Sequence, residues 1–259
     1  MVNETVLPKP DLRWATLNVT HFNKPSMSFL FGKRKKSPGG SDILRYRDVK
    51  PSEIPIGCQD EPTAQFAAAR EKIYEQLFGP VASVYHEVIP MIPHIDVYTF
   101  PANQNGRNFC TLATGGMSNL PMERPRNQSE VTRRVELIFY CSEPKPEYLE
   151  TLRFLARFPH DYKTSVAAGD TIPNGNPPAP IWGISSLDTI LFMPTIVKRD
   201  QTLPQQLNFA GDPVEFLWVV PLTTSEGECK LLKGYNAIID LFQQNKHPVI
   251  FDPTRKSYV

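Results

Sequence analysis

The sequence predicts an α+β protein, a largely antiparallel sheet covered by helices, and three observations carry that expectation. Short β-rich segments recur between turn formers, and amphipathic stripes at helical spacing stand between and after them. The 26 prolines are scattered through dipeptides and loops rather than gathered in one tract, which disfavours long helices. At 259 residues the chain can bury a core without disulfides.

The first 60 residues read as a partly disordered N-terminal arm, and residues 61–259 as the folded domain. Residues 32–42 mix like charge with turn formers, so flexibility is expected there. Met27 is a plausible alternative start. The basic segment 33–36 reads as a solvated anchor, with nuclear targeting or an anionic membrane contact as the alternatives.

From Pro62 the spacing of Phe66, Ile73, Tyr74 and Leu77 predicts a helix that Gly79-Pro80 stops. Strands are expected over 84–89, 94–100, 108–114 and 134–141, with Pro90 and Pro93 fencing a connection between the first two. The apolar run 135–140 suggests a strand covered on both faces. Glu136 inside it needs a partner, for which Arg133 or Arg134 is nearest. A second helix is expected over 146–158, ended by Pro159. Residues 160–180 read as a long irregular loop of the kind that often carries function. Strands resume over 188–193 and 215–221. A last helix is expected to open on a Ser225/Glu228 capping box and to carry Leu231, Tyr235, Ile238 and Phe242 on one stripe, before an edge strand over 249–251.

Composition excludes several classes. No apolar run approaches the roughly 20 residues of a membrane span. The positive run follows Phe29-Leu30-Phe31 rather than preceding it, the wrong order for a signal peptide, so the cytoplasm is expected. Cys58, Cys110, Cys141 and Cys229 show no paired spacing and read as reduced thiols. The formal charge of +1 hides an asymmetry: residues 24–50 hold eight Lys/Arg against two Asp, and residues 51–259 hold 18 Lys/Arg against 23 Asp/Glu. An acidic body argues against nucleic-acid binding, and no stable membrane association is expected.

Chemistry-bearing motifs are sparse. There is no G-x-S-x-G elbow and no phosphate-binding loop; Gly115-Gly116-Met117-Ser118 imitates a nucleophile turn without its second glycine in place. Cys110 and Cys141 read as small core residues. His94 and Asp96 alternate onto one strand face, and His86 lies on the expected partner strand, so the three could hold zinc or iron if the hairpin register brings them together. Trp218 reads as core, whereas Trp182, between a proline and a glycine, could anchor a partner.

Five segments together resemble the Suppressor of fused domain, in that family's order and over roughly 75–255. They are His94-Ile-Asp-Val97; Thr111-Leu-Ala-Thr-Gly-Gly-Met-Ser118 with Pro121-Met122; Val135-Glu-Leu137; Leu155-Ala-Arg-Phe-Pro-His160; and Gly169-Asp-Thr-Ile-Pro-Asn-Gly175 with Pro177-Pro178. The resemblance implies a mixed sheet flanked by helices and a function in protein binding without catalysis or cofactor. In animal relatives the domain, with a second unrelated one, grips an extended peptide of a Gli-type transcription factor; the length here leaves no room for that second domain. Shorter bacterial relatives look like antidotes of toxin systems. The expected function is therefore to bind and sequester or neutralise a protein or extended peptide, such as a cognate toxin. Strand addition at an open sheet edge would serve, with Asp170, Asn174, His160, Tyr162 and Trp182 as the contact set. A metal-dependent enzyme built on His86, His94 and Asp96 is the alternative.

Overall fold

The structure is a computed structural model that describes residues 35–46, 49–50, 53–57, 60–89, 91–123, 132–184 and 186–259. Met27, Lys33, Arg34, Cys58 and Pro90 lie outside them. The expected first helix forms as α1 (Glu61–Phe78): the Asp60 side chain accepts from the Thr63 N–H at 3.0 Å, and Phe66, Arg70, Tyr74 and Phe78 recur every fourth residue on its buried face. It is followed by β3 (Ser83–Tyr85), β4 (Asp96–Phe100), β5 (Cys110–Gly115) and β6 (Arg134–Cys141). Then come α2 (Pro146–Asp161), β7 (Thr171–Pro173), β8 (Leu187–Pro194), a short α3 (Leu203–Gln206), β9 (Asn208–Phe209), β10 (Asp212–Thr223), α4 (Thr224–Lys233) and α5 (Tyr235–Gln244).

One sheet runs in the order β3-β4-β5-β6-β10-β8-β7, with β9 paired to β10. Among the described residues only β6 and β10 pair in parallel, from Val214 opposite Arg134 to Trp218 opposite Ile138, so the sheet is mixed and largely antiparallel, as expected. Alternation assigns each side chain to a layer. Leu137 and Phe139 face Leu152 and Leu155 of α2, while Ile138 and Tyr140 lie in the layer that holds Tyr74 and Phe78 of α1 with Ile238 and Phe242 of α5. Residues 134–141 are buried throughout, which explains an apolar pattern that only Arg134 and Glu136 interrupt.

Several expectations are corrected. Pro159 does not end α2; it is buried inside the helix, which continues to Asp161, because packing on the core outweighs the N–H that proline lacks. The expected irregular stretch contains β7, whose partner lies almost 20 residues further on. The last helix is two, and its capping box sits two residues early, on Thr223 and Glu226, because β10 runs directly into α4. Gly234, at φ 90°, breaks the helix and resets its phase, leaving Leu231 exposed while Cys229 and Lys230 are buried. Residues 249–251 form no strand, although the Phe251 N–H donates to the Tyr140 carbonyl at 2.8 Å. Where flexibility was expected, β1 (Lys35–Lys36) and β2 (Asp42–Ile43) form a hairpin whose Gly39 N–H bonds the Leu231 carbonyl at 2.8 Å. Among the described residues no helix is long and apolar enough to cross a membrane.

Candidate functional site

The five expected contact residues are strung along α2 and β7. His160 and Tyr162 stand at the end of α2. His160 Nε2 is 2.9 Å from the Met117 carbonyl and, since a carbonyl only accepts, must carry the proton; burial pushes this imidazole down to about 4. Tyr162 packs edge-on against Tyr46 and close to Phe158. Trp182 lies at the other end of the helix: its indole N–H donates to the Glu147 carbonyl and to Thr151 Oγ1, and its ring meets Tyr148, Phe139 and Phe251 at 4.5, 5.5 and 5.2 Å. At 1.5 Å per residue, the two groups are separated by roughly 15–20 Å along α2.

Asp170 and Asn174 bracket β7. Asp170 is exposed and accepts from the Ala167 N–H at 2.9 Å, while Asn174 donates to the Pro180 carbonyl at 2.8 Å and so closes the loop it belongs to. Asp170 O and Asn174 N both bond β8, at Phe192 N and Asp188 O. Even-numbered residues of β7 therefore face β8, and Thr171 and Pro173 turn their backbone groups to the free edge. Proline supplies no N–H, and the Pro173 carbonyl already accepts from Gly175 N, so this edge offers one residue's complete pair of groups.

The Gly115-Gly116-Met117-Ser118 turn is occupied from within. Glu136, with no exposed surface, accepts from Gly116 N, Ser118 N, Ser118 Oγ and Thr114 Oγ1 at 2.5–3.1 Å. Its ionic partner is Arg70 of α1, at 3.4 Å, rather than Arg133 or Arg134. Arg134 instead bonds Asp212 and the carbonyls of Ser118 and Asn119. Arg134 shares the Glu136 face of β6, but its guanidinium is already taken up by Asp212 and the two turn carbonyls.

At the opposite end of the sheet the hairpin register brings His86, His94 and Asp96 together. Tyr85 pairs with Val97, which sets His86 against Asp96, and His94 stands two residues before Asp96 on the same side. His86 Nδ1 is 3.2 Å from Asp96 Oδ2, and His94 Nε2 is 3.2 Å from Asp96 Oδ1. Sequence reasoning missed the residues behind them. Glu87 Oε2 is 3.7 Å from His94 Nδ1, and Arg157 of α2 grips Glu87 with both carboxylate oxygens engaged at 2.6 and 2.8 Å. An arginine between Ala156 and Phe158 on an otherwise apolar helix stripe was the available clue.

The profile of the Suppressor of fused protein (SUFU) family matches residues 92–256. The chain belongs to the Suppressor of fused family. That span starts just before His94 and takes in β4 through α5 and the segment beyond it. Among solved structures, a SUFU homologue from Neisseria gonorrhoeae FA 1090 matches with a TM-score of 0.58 at 17% identity, over 76% of this chain and 98% of that one. The structure described as the Sufu–Fu complex matches with a TM-score of 0.51 at 13% identity, over 76% of this chain and 92% of that one. At such identities these two similarities support the SUFU fold. No curated protein matches the sequence.

Proposed function

We propose that this chain is a non-enzymatic binding module, formed by residues 61–259, that captures a protein or extended peptide and holds it sequestered or neutralised. The observation that carries the reading is membership of a family one of whose similar structures is a Sufu–Fu complex. The open sheet supports it, because among the described residues β3 and β7 each have one neighbouring strand. The β7 end is the better candidate face, because Asp170 and residues 176–180 are exposed there, whereas His160, Tyr162 and Trp182 lie at the two ends of α2, which packs on β4, β5 and β6.

The acidic balance of residues 51–259 favours a basic partner, as a cytoplasmic toxin would be, since opposed charge speeds and orients encounter. A metal-dependent enzyme on His86, His94 and Asp96 is less well supported. The His86 side chain is 69% exposed, so a reacting group there would stay in water.

Co-expression with a toxin encoded beside the gene, followed by titration of the purified pair, tests the proposal. Protection of the host together with a saturable complex, weakened at least about tenfold by Asp170→Lys, is expected. Absence of both protection and complex would remove the neutralising role, while an undiminished complex in Asp170→Lys would move the contact away from β7.

A further inference from the structure

We propose that His86, His94 and Asp96 bind one divalent ion of zinc-like chemistry at the β3–β4 end of the sheet. This site is independent of the β7 face. Among the described residues it is the one place where three such side chains offer donor atoms all within 4.8 Å of one another. Metal–ligand lengths of about 2.0–2.2 Å place any two ligands of a tetrahedral ion roughly 3.3–3.6 Å apart. Both His–Asp separations are already 3.2 Å, one to each carboxylate oxygen, so small side-chain rotations suffice to converge on an ion.

Donor type narrows the ion. Two imidazoles and one carboxylate suit zinc and its borderline neighbours, whereas magnesium and calcium seek oxygen throughout. Three protein ligands leave a fourth position, which faces solvent beside the exposed His86 ring.

What separates this cluster from a chance meeting of surface groups is the support behind it. Glu87 Oε2 stands 3.7 Å from His94 Nδ1, the ring nitrogen turned away from Asp96, where it would take the Nδ1 proton once an ion claims Nε2. Arg157 locks Glu87 and also donates to the Pro93 carbonyl at 2.7 Å. The Glu87 N–H donates to Asp96 Oδ1 at 3.2 Å, orienting the carboxylate. The backbone under His94 is fixed as well: Gly116, at φ 117°, lies so close that a Cβ there would stand 1.8 Å from the His94 carbonyl oxygen. Between the ligands the chain carries Val88 and Ile89, 94% and 57% exposed. An ion joining His86 to His94 and Asp96 would close this loop across its base and hold that apolar tip in one position.

Calorimetric titration of the metal-stripped full chain with zinc chloride tests the site, with cobalt(II) absorption reporting the ligands. One equivalent of zinc is expected, with a cobalt spectrum of nitrogen and oxygen coordination. His86→Ala, a change at an exposed side chain, should weaken binding at least about tenfold without altering the fold by circular dichroism. Glu87→Gln should weaken it about 10- to 100-fold, by loosening both His94 and the Arg157 clamp behind it. The proposal is overturned by any of three results: no zinc heat, an affinity unchanged in both His86→Ala and His94→Ala, or a cobalt–thiolate band that places the ion on cysteine.

Discussion

Glu136 shows how one residue can be half legible in sequence. A carboxylate in an apolar strand announces that it needs partners, but the partners are four donors of the β5 turn and a guanidinium from α1. Removing one member of a buried pair leaves the other uncompensated, so Arg70→Met is expected to lower stability by about 3 kcal/mol in urea unfolding. A loss below about 1 kcal/mol would mean that the turn donors alone satisfy the carboxylate. Histidines make a second case. Burial holds His160 and His247 down at about 4, against 6.5 in the unfolded chain. As pH falls the unfolded state takes up these protons first, so stability that is complete above about 6.5 erodes toward pH 4. Asp161, raised to about 6 by burial with Arg157 opposing, works in the other sense and offsets one of the two. These three groups together leave stability falling as pH drops through 5, with a slope on the order of 1 kcal/mol per pH unit. His160→Gln, which can still donate to Met117, should flatten it; an unchanged slope would show that His160 does not carry it.

Among elements, periodic segments were legible and joints were not. The stripe of α1 and the buried run of β6 follow from local pattern alone, since each element buries one face or both whatever its neighbours are. The end of α2 and the break between α4 and α5 depend on what packs there. Gly39 belongs to such a joint: a Cβ on it would lie 2.3 Å from Gly234 N, against backbone that cannot rotate aside. Gly39→Ala is therefore expected to lift the β1–β2 hairpin off α4, seen as faster proteolysis within residues 35–43 with the thermal midpoint of the domain little changed. Unchanged cleavage would mean that the contact does not hold the hairpin. Trp182 tests another joint. Trp182→Phe keeps a ring among Tyr148, Phe139 and Phe251 but loses the bonds to Glu147 and Thr151, and about 1–2 kcal/mol of stability should go with them. Wild-type stability in that variant would free the indole for a role at a partner surface.

For the molecule as a whole, the charge asymmetry makes the partner reading quantitative. If a basic polypeptide docks on the acidic body, its association rate should fall steeply between low and physiological ionic strength while dissociation changes little. A salt-independent association rate would point to apolar docking instead. The sequence by itself determined the class of fold, most of its elements, which faces they bury and the family, because periodicity and local motifs are properties of a single segment. Only the tertiary structure decided that β6 lies parallel to distant β10, that Glu136 meets Arg70, and that His86 reaches Asp96 with Glu87 and Arg157 behind them. Those pairings join segments far apart along the chain, and a local pattern specifies which face is buried without specifying what it is buried against.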